Sequence, residues 1–431
     1  AGAANQSLPA NMSLSVDRLD SLQAAEPADI FSYLWLSADL KGAVESPAWY
    51  FKGSDSTAEA MDNLMLTHGW RRFEWAAIQQ NKLPSYQFLP EYTGHIITGK
   101  ITDPDTRSPL SSVMVYLSIP GEHTQFYVSK SDSNGNIRFY THRSYGPGEI
   151  ILQPAGYSTG SYNIEINTAF QDQFSARPIP TLQLADHLRE AIEQNSVNAQ
   201  VQRKFLADQL KTYNVSPTDS MPFYGKPDEK YLFDDYTRFT TMEEVLREYV
   251  AGVMVGKTRG KFHLNVINIA NNRVFKENPL VLLDGVPVHD IDRIIRYDPL
   301  KVRKLEVVKQ TYYYGSVVMD GLLNFTTYTG NLPEFEMDDR AVILDYAGMQ
   351  WHRVFYSPQY ETEEQAASRL PDFRNLLYWS PDITTGSKGQ TDLTFFTGDV
   401  KGKYIGIIEG MSSDGKAGSS TFGFEVKDHN H

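Results

Sequence analysis

The stretch PLVLLDGVPVHDIDRIIRYDPLKVRKL, residues 279–305, sets the reading of the middle of the chain. Five apolar residues stop at Asp284-Gly285, restart as Val286-Pro287-Val288, and run into a charged segment closing on Asp298-Pro299. Glycine takes positive φ without steric cost and aspartate bonds its own backbone two residues on, so Asp284-Gly285 reads as a tight turn. Pro287 has no N–H to give and keeps the returning strand out of a sheet centre. The stretch is therefore a buried strand, a tight turn and a short helix. A side chain at Gly285 would be forced into a sparse backbone region, so Gly285→Val is expected to cost about 1–3 kcal/mol and Asp284→Asn less.

Before this stretch lies a helix, TTMEEVLREYV, with Thr241 as its cap and Glu243 and Glu244 favoured in its first turn by the dipole. After it come strands through Leu305, Val307 and Val308 and through Leu322, Leu323, Phe325 and Thr327. Residues 231–332 thus alternate helices and strands in a small α/β unit. Pro279, Leu280, Leu282, Asp284, Gly285, Val286 and Pro287, then Leu305, Val307 and Lys309, then Tyr314, Gly315, Gly321, Leu322, Leu323 and Thr326 follow a known order. It resembles the plug domain of TonB-dependent outer-membrane receptors, in the form found in Bacteroidota nutrient-uptake systems. The resemblance implies that Asp284, Gly285, Pro287, Gly315 and Gly321 are turn residues of a plug fold. Only about 100 residues follow, too few for the barrel of a transporter, so the resemblance implies a repurposed module.

From Gly94 the pattern is alternation: GHIITGKITDPDTRSPLSSVMVYLSIPG, QFYVSKSDSNGNIRFYT and GEIILQP read as short strands with polar turns. Gly99, Ile101, Asp103, Pro109, Leu110, Val113, Val115 and Leu117, then Asp132, Asn134, Gly135, Ile137 and Phe139, resemble the carboxypeptidase-regulatory-like domain, a transthyretin-like β-sandwich. The domain is assigned to residues 94–180, and residues 94 to about 155 are expected to fold on their own as a seven-stranded sandwich. Asp132 to Asn136 is a hairpin turn, since a calcium loop would need a further acid and a distant bidentate Glu.

Residues 1–93 read as a helical segment from apolar spacing of three and four, with Ser56 or Thr57 as a cap and Trp70, Arg71, Arg72, Phe73 and Trp75 as an aromatic seam. Residues 181–230 read as a helical linker. Residues 333–431 read as a β-sandwich with strands through Leu393, Phe395 and Phe396, through Tyr404 to Ile408, and through Phe422 to Val426. The run from Gly402 to Gly415, GKYIGIIEGMSSDG, resembles macroglobulin-like sandwich domains of large exported bacterial proteins. The fold class is then multidomain and mainly β with α+β parts: a helical N-terminal segment, a transthyretin-like sandwich, a plug-like α/β domain and a C-terminal macroglobulin-like sandwich.

A net charge of −13 argues against nucleic acid, whose phosphates need a basic face. The absence of cysteine removes disulfides, thiolate nucleophiles, iron–sulfur clusters and the thioester of true macroglobulins. No apolar run of about 18 residues is present, so no transmembrane segment is expected. AGAANQSLPANMSL has neither a basic start nor an apolar core, and an export signal or lipid anchor is expected upstream. Gly252 to Thr258 is one residue short of a phosphate loop. His429 and His431 could hold metal only adventitiously.

No catalytic residue, metal or cofactor is expected. The densest polar and aromatic cluster, Trp351, His352, Arg353, Tyr356, Arg374, Tyr378 and Trp379, is either a recognition surface for a peptide or sugar, or a loop packed across a domain junction with Arg374 paired to Asp372. The resemblances imply an exported, non-enzymatic cell-envelope protein, periplasmic or outer-membrane-associated. It would act as a protein-interaction or scaffolding module among envelope proteins, linked to TonB-dependent uptake or export machinery. The alternative is a carbohydrate- or peptide-binding accessory of a nutrient-uptake system.

Overall fold

The hairpin at Asp284-Gly285 forms as read: β13 (Leu280–Leu283) and β14 (Val286–Pro287) pair with Leu283 opposite Val286. Asp284 and Gly285 both take positive φ, 49° and 83°, the pair of conformations a two-residue turn of type I′ requires. Pro287 lies on an edge strand, where its missing N–H leaves no ladder bond unmade. Helix α6 (Ile291–Arg296) follows, capped by Asp290, and Asp298 caps the turn at Pro299–Lys301.

The computed structural model describes residues 8–22, 28–40, 42–69, 73–82, 91–92, 94–121, 123–142, 144–156, 162–170, 184–214, 221–268, 271 and 273–427. It is mainly β, with several antiparallel sheets in two compact units. One comprises residues 1–87, 177–214 and 352–431; the other comprises 88–176 and 215–351. Elements are numbered along the chain.

The second unit stacks four layers. The outer layer is the sheet β5 (Asn136–Tyr140), β2 (Ile96–Thr102), β7 (Asn163–Ile166). The next is β17 (Val342–Ala347), β6 (Pro147–Pro154), β3 (Met114–Ile119), β4 (Gln125–Lys130). The alternating residues Ile97 and Ile101, Val115 and Leu117, and Ile150 and Leu152 fill the core between these two. The third layer contains β14, β13, β16 (Val317–Thr327), β15 (Val302–Tyr314) and β9 (Glu229–Leu232). Beyond it lie α5 (Met242–Glu248) and α6 with the hairpin β10 (Val253–Thr258) and β11 (Lys261–Asn268), to which β12 (Arg273–Val274) adds a short edge. Thr241 caps α5 as expected, accepting from the Glu244 amide.

Strand β3 is buried on both faces. Its odd positions enter the sandwich core, while Tyr116 packs with Phe126 against Leu282, Leu322 and Met319 of the third layer. The sandwich is therefore not free-standing. It does have seven strands, but the seventh, β17, follows β16 in the chain and pairs with β6 from Val342 opposite Leu152 to Ala347 opposite Pro147. Two expectations are corrected here. Residues 94–155 lack both β7 and β17, and residues 342–347 belong to this sandwich rather than to a domain beginning at 333. Alternation in AVILDYA marks a strand without saying which sheet it joins.

The remaining turn residues have defined roles. Gly315, at φ 58°, sits with Ser316 in the two-residue loop joining β15 to β16. Gly321, at φ 88°, lies beside a register break in β15, where a Cβ would meet the Val308 carbonyl at 3.1 Å and Val266 at 3.2 Å. Asp284 does more than turn the chain. Its buried carboxylate accepts from the Thr327 amide and hydroxyl, both at 2.7 Å, and from the Leu332 amide at 2.8 Å. It thereby ties the end of β16 and the start of the segment leading to β17 to the hairpin.

His289, four residues past Gly285, is half-buried and stacks on Tyr116 at 6.1 Å. Loss of water around its ring pushes its pKa below the ordinary value of 6.5, Arg340 pushes the same way, and Asp338 opposes them. Asp338 itself is held down to about 2, chiefly by its bonds from Arg340. The unfolded chain therefore binds a proton at His289 before the folded one does, so stability falls as pH drops below about 6.5 toward the lowered native value. The urea midpoint should be lower at pH 5 than at pH 7, and His289→Gln should reduce that difference. Equal pH dependence in both proteins would exclude His289 as its source.

The first unit is built on β19 (Leu376–Thr384), β1 (Ala10–Arg18), β20 (Gly402–Ser412) and β21 (Ala417–Val426). Strand β1 lies in the interior of this sheet, with Val16 paired to Tyr378 on one side and Gly406 on the other. This corrects the helical assignment of residues 1–93 over its first strand: Leu14 and Val16 alternate inward, a period of two. Around the sheet lie α1 (Ile30–Ser32), α2 (Asp55–His68), α3 (Trp75–Gln79), α4 (Arg189–Leu206), α7 (Glu363–Ala366) and the two-residue ladder β8 (Tyr213–Asn214) with β18 (His352–Arg353). Helix α2 is capped by Ser54, with Thr57 closing the box from the third helical position. Phe395 packs on Tyr378 and Phe424, yet the segment carrying Leu393, Phe395 and Phe396 forms no strand, so the described C-terminal region contains one four-stranded sheet, not two facing ones.

Among the described residues, no helix is long and apolar enough to cross a membrane, and no group of acidic and histidine side chains has the geometry of a metal site. Residues 70–72 of the aromatic seam, residues 1–7 and the terminal histidines lie outside the described residues.

Candidate functional site

Helix α4 follows a turn at Asp186–Leu188; the turn supplies His187, and the helix presents Glu190, Gln194 and Asn198 at spacings of four, with Asn195 beside them. These residues form one wall of a cleft of about 560 Å³ in the first unit. The facing walls come from the end of β1 with Arg18, Asp20 and Ser21, from Phe373 just before β19, and from Asp399 to Lys401 just before β20.

Amide bonds join the walls. Asn195 donates to Asp20 Oδ2 at 3.1 Å and accepts from Asn375 Nδ2 at 2.7 Å; Gln194 donates to Asn198 Oδ1 at 2.9 Å. The Oδ1 atom of Asn375 is buried without a hydrogen-bond partner among the described residues. Such an acceptor is costly unless something supplies a donor.

Beneath the cleft a buried ion pair fixes the loop that carries Phe373 and Asn375. Arg374 Nε donates to both oxygens of Asp372, at 2.7 and 3.0 Å, and its terminal nitrogens reach the carbonyls of Leu377 at 2.8 Å and Phe396 at 3.0 Å. Asp372 also accepts from the Tyr360 hydroxyl at 2.9 Å, and its main chain exchanges bonds with Asp399. Burial, then the bond to Asp372, pushes the Tyr360 phenol up, so it stays a neutral donor. A forked cation with four acceptors holds a loop in one geometry.

The cluster expected from the sequence separates. Arg374 is the buried support just described, paired with Asp372. Tyr378 faces inward and stacks on Phe395 at 5.8 Å, whereas its strand neighbour Trp379 is exposed, as period two demands. Tyr356 is half-buried; His352 and Arg353 are exposed on β18, where Arg353 donates to the Leu210 carbonyl at 2.7 Å. Trp351 belongs to the second unit and stacks on Tyr145 at 5.6 Å, against Gly146.

Sequence reading missed the α4 wall. Its only signal is the polar spacing 187, 190, 194, 198, which any solvated helix face also shows. The cleft combines donors and acceptors of both signs around one aromatic ring, with no nucleophile and base in bonding contact among its described residues. Comparison of the chain with known protein families, with curated proteins and with solved structures finds no match.

Proposed function

We propose that the chain is a non-enzymatic recognition module of an exported cell-envelope protein, and that the cleft of its first unit takes a peptide segment of an envelope partner. The observation that carries this reading is the cleft itself: an amide row on α4 set among carboxylates and cations in near balance. A peptide main chain offers an N–H and a C=O at every residue, which suits a wall of Gln and Asn side chains. A single Phe373 gives little of the flat aromatic platform on which sugar rings stack, so a peptide is favoured over a glycan. The plug-like layer then acts as scaffold, in keeping with the resemblance of its sequence and without a transport role.

The test is to pan a random peptide library against the immobilised chain and to probe a glycan array in parallel. Enriched peptides should bind at least about tenfold more weakly to Glu190→Lys and Gln194→Ala, two exposed helix positions whose substitution leaves the core untouched. Peptides that bind these variants as well as the parent, or binding confined to glycans, would overturn the reading.

A further inference from the structure

Strand β21 is a long sheet edge of the first unit that its own sequence leaves unguarded. Proteins blunt their edges with charge, proline or brevity, because an open row of N–H and C=O groups recruits other chains. The other described edges follow that rule. Strand β19 carries Pro381, β17 Asp345, β4 Lys130, β5 Arg138, β7 Glu165 and β10 Lys257. Strands β8, β12, β14 and β18 have 2 residues each and β9 has 4. Strand β21 has 10 residues and no proline, and its one charge, Glu425, is paired with Lys427 at 3.0 Å. Every residue from Gly418 to Gly423 is exposed.

The ladder fixes which groups face outward. The Ser412 N–H donates to the Lys416 carbonyl, so these two are a bonded pair of the antiparallel ladder. Bonded and non-bonded pairs alternate, which makes Gly418, Ser420, Phe422, Phe424 and Val426 the residues that bond β20. Lys403, opposite Glu425, agrees: its carbonyl turns the other way and accepts from the Leu19 N–H. Ala417, Ser419, Thr421, Gly423 and Glu425 therefore turn their N–H and C=O groups away from β20, and none of these groups has a main-chain partner among the described residues.

We propose that β21 pairs antiparallel with β21 of a second copy of the chain, about a two-fold axis at Thr421. In that register Ala417 faces the partner's Glu425, Ser419 the partner's Gly423, and Thr421 the partner's Thr421, so every outward group of one copy meets an outward group of the other. Glu425 meets an alanine rather than a second acid, and no like charges stand opposite each other in a chain of net charge −13. On the opposite face Phe422, 40% exposed in the single chain, lies diagonal to its own copy, within reach of an aromatic contact. Any extended peptide could bond the main chain of this edge; the matching of its charge and of Phe422 to themselves favours a second copy. The proposal does not depend on the peptide reading of the cleft.

The test is sedimentation of the whole chain between about 1 and 300 µM, where a reversible monomer–dimer equilibrium is expected. Thr421→Lys and Thr421→Glu each set like charges against each other at the axis and should raise the dimer Kd about fivefold or more, while an equimolar mixture of the two recovers the dimer. Residue 421 is exposed and bonds nothing on β20, so both variants should keep the parent's urea midpoint. Because the chain has no cysteine, Thr421→Cys should form an intermolecular disulfide on mild oxidation, whereas Ser413→Cys, in the turn between β20 and β21, should not. A chain that stays monomeric throughout, including one that takes an extended peptide at this edge instead, would overturn the proposal. So would a dimer that both charge variants leave intact, or a mixture no more dimeric than either variant alone.

Discussion

Residues 94–167 expressed alone will show no cooperative urea transition, whereas residues 94–351 will. The short piece contains six of the seven sandwich strands and lacks β17, so Val342, Leu344 and Tyr346 are missing from the sandwich core and β6 is left as an open edge. It also exposes Tyr116 and Phe126, which in the whole unit face Leu282, Leu322 and Met319. Five large apolar side chains at about 1.5–3 kcal/mol each amount to roughly 10 kcal/mol, comparable to the whole stability of an ordinary domain. A sharp unfolding transition with dispersed amide resonances in the short piece would show that the sandwich is autonomous after all.

Asp284→Asn will destabilise the second unit by about 2–4 kcal/mol, more than the roughly 1–2 kcal/mol expected for Gly285→Val. The order reverses the one expected from the turn alone. Gly285 has positive φ, so a β-branched side chain is strained there, but a Cβ would find its nearest neighbour, Thr124 Cγ2, at an ordinary 3.4 Å. Asp284 instead accepts three hydrogen bonds in a buried position. An amide keeps one oxygen and turns an N–H₂ toward groups that are themselves donors. Urea midpoints of the two variants decide the order, and an Asp284→Asn protein as stable as the parent would reduce the carboxylate to a turn residue.

Much of the second unit was legible because its signals are local. Asp-Gly between apolar runs specifies a two-residue hairpin through backbone conformation alone, and Thr241 announces α5 through one side-chain bond. Strand partners are not local. Nothing in AVILDYA names β6, and nothing in MSLSVDR names Tyr378 or Gly406, so the reading gave residues 342–347 and 10–18 to their chain neighbours. The double burial of β3 was hidden because Tyr116, an amphipathic residue, passes equally for a solvent-facing position. The cleft was hidden for the same reason as the strand pairings: its walls come from residues near 20, 190, 373 and 400, which meet only after folding. Arg374 stood out correctly as unusual, and its partner Asp372 was named, but its oddness reflects the support of a loop rather than a contact surface.

The interior position of β1 has a consequence for how the protein is made. Val16 leaves the ribosome about 360 residues before its partner Tyr378, which at ordinary rates of synthesis is roughly 20–70 s. Through that interval Leu14 and Val16 have no strand to join, and the polar residues between and beside them, Ser13, Ser15, Asp17 and Arg18, are the ones that discourage pairing with other chains. Any product that stops before residue 376 lacks β19, β20 and β21 together, so it presents β1 with two open edges. Chains that stop before residue 376 will therefore depend on those polar residues alone to keep β1 from pairing with other chains.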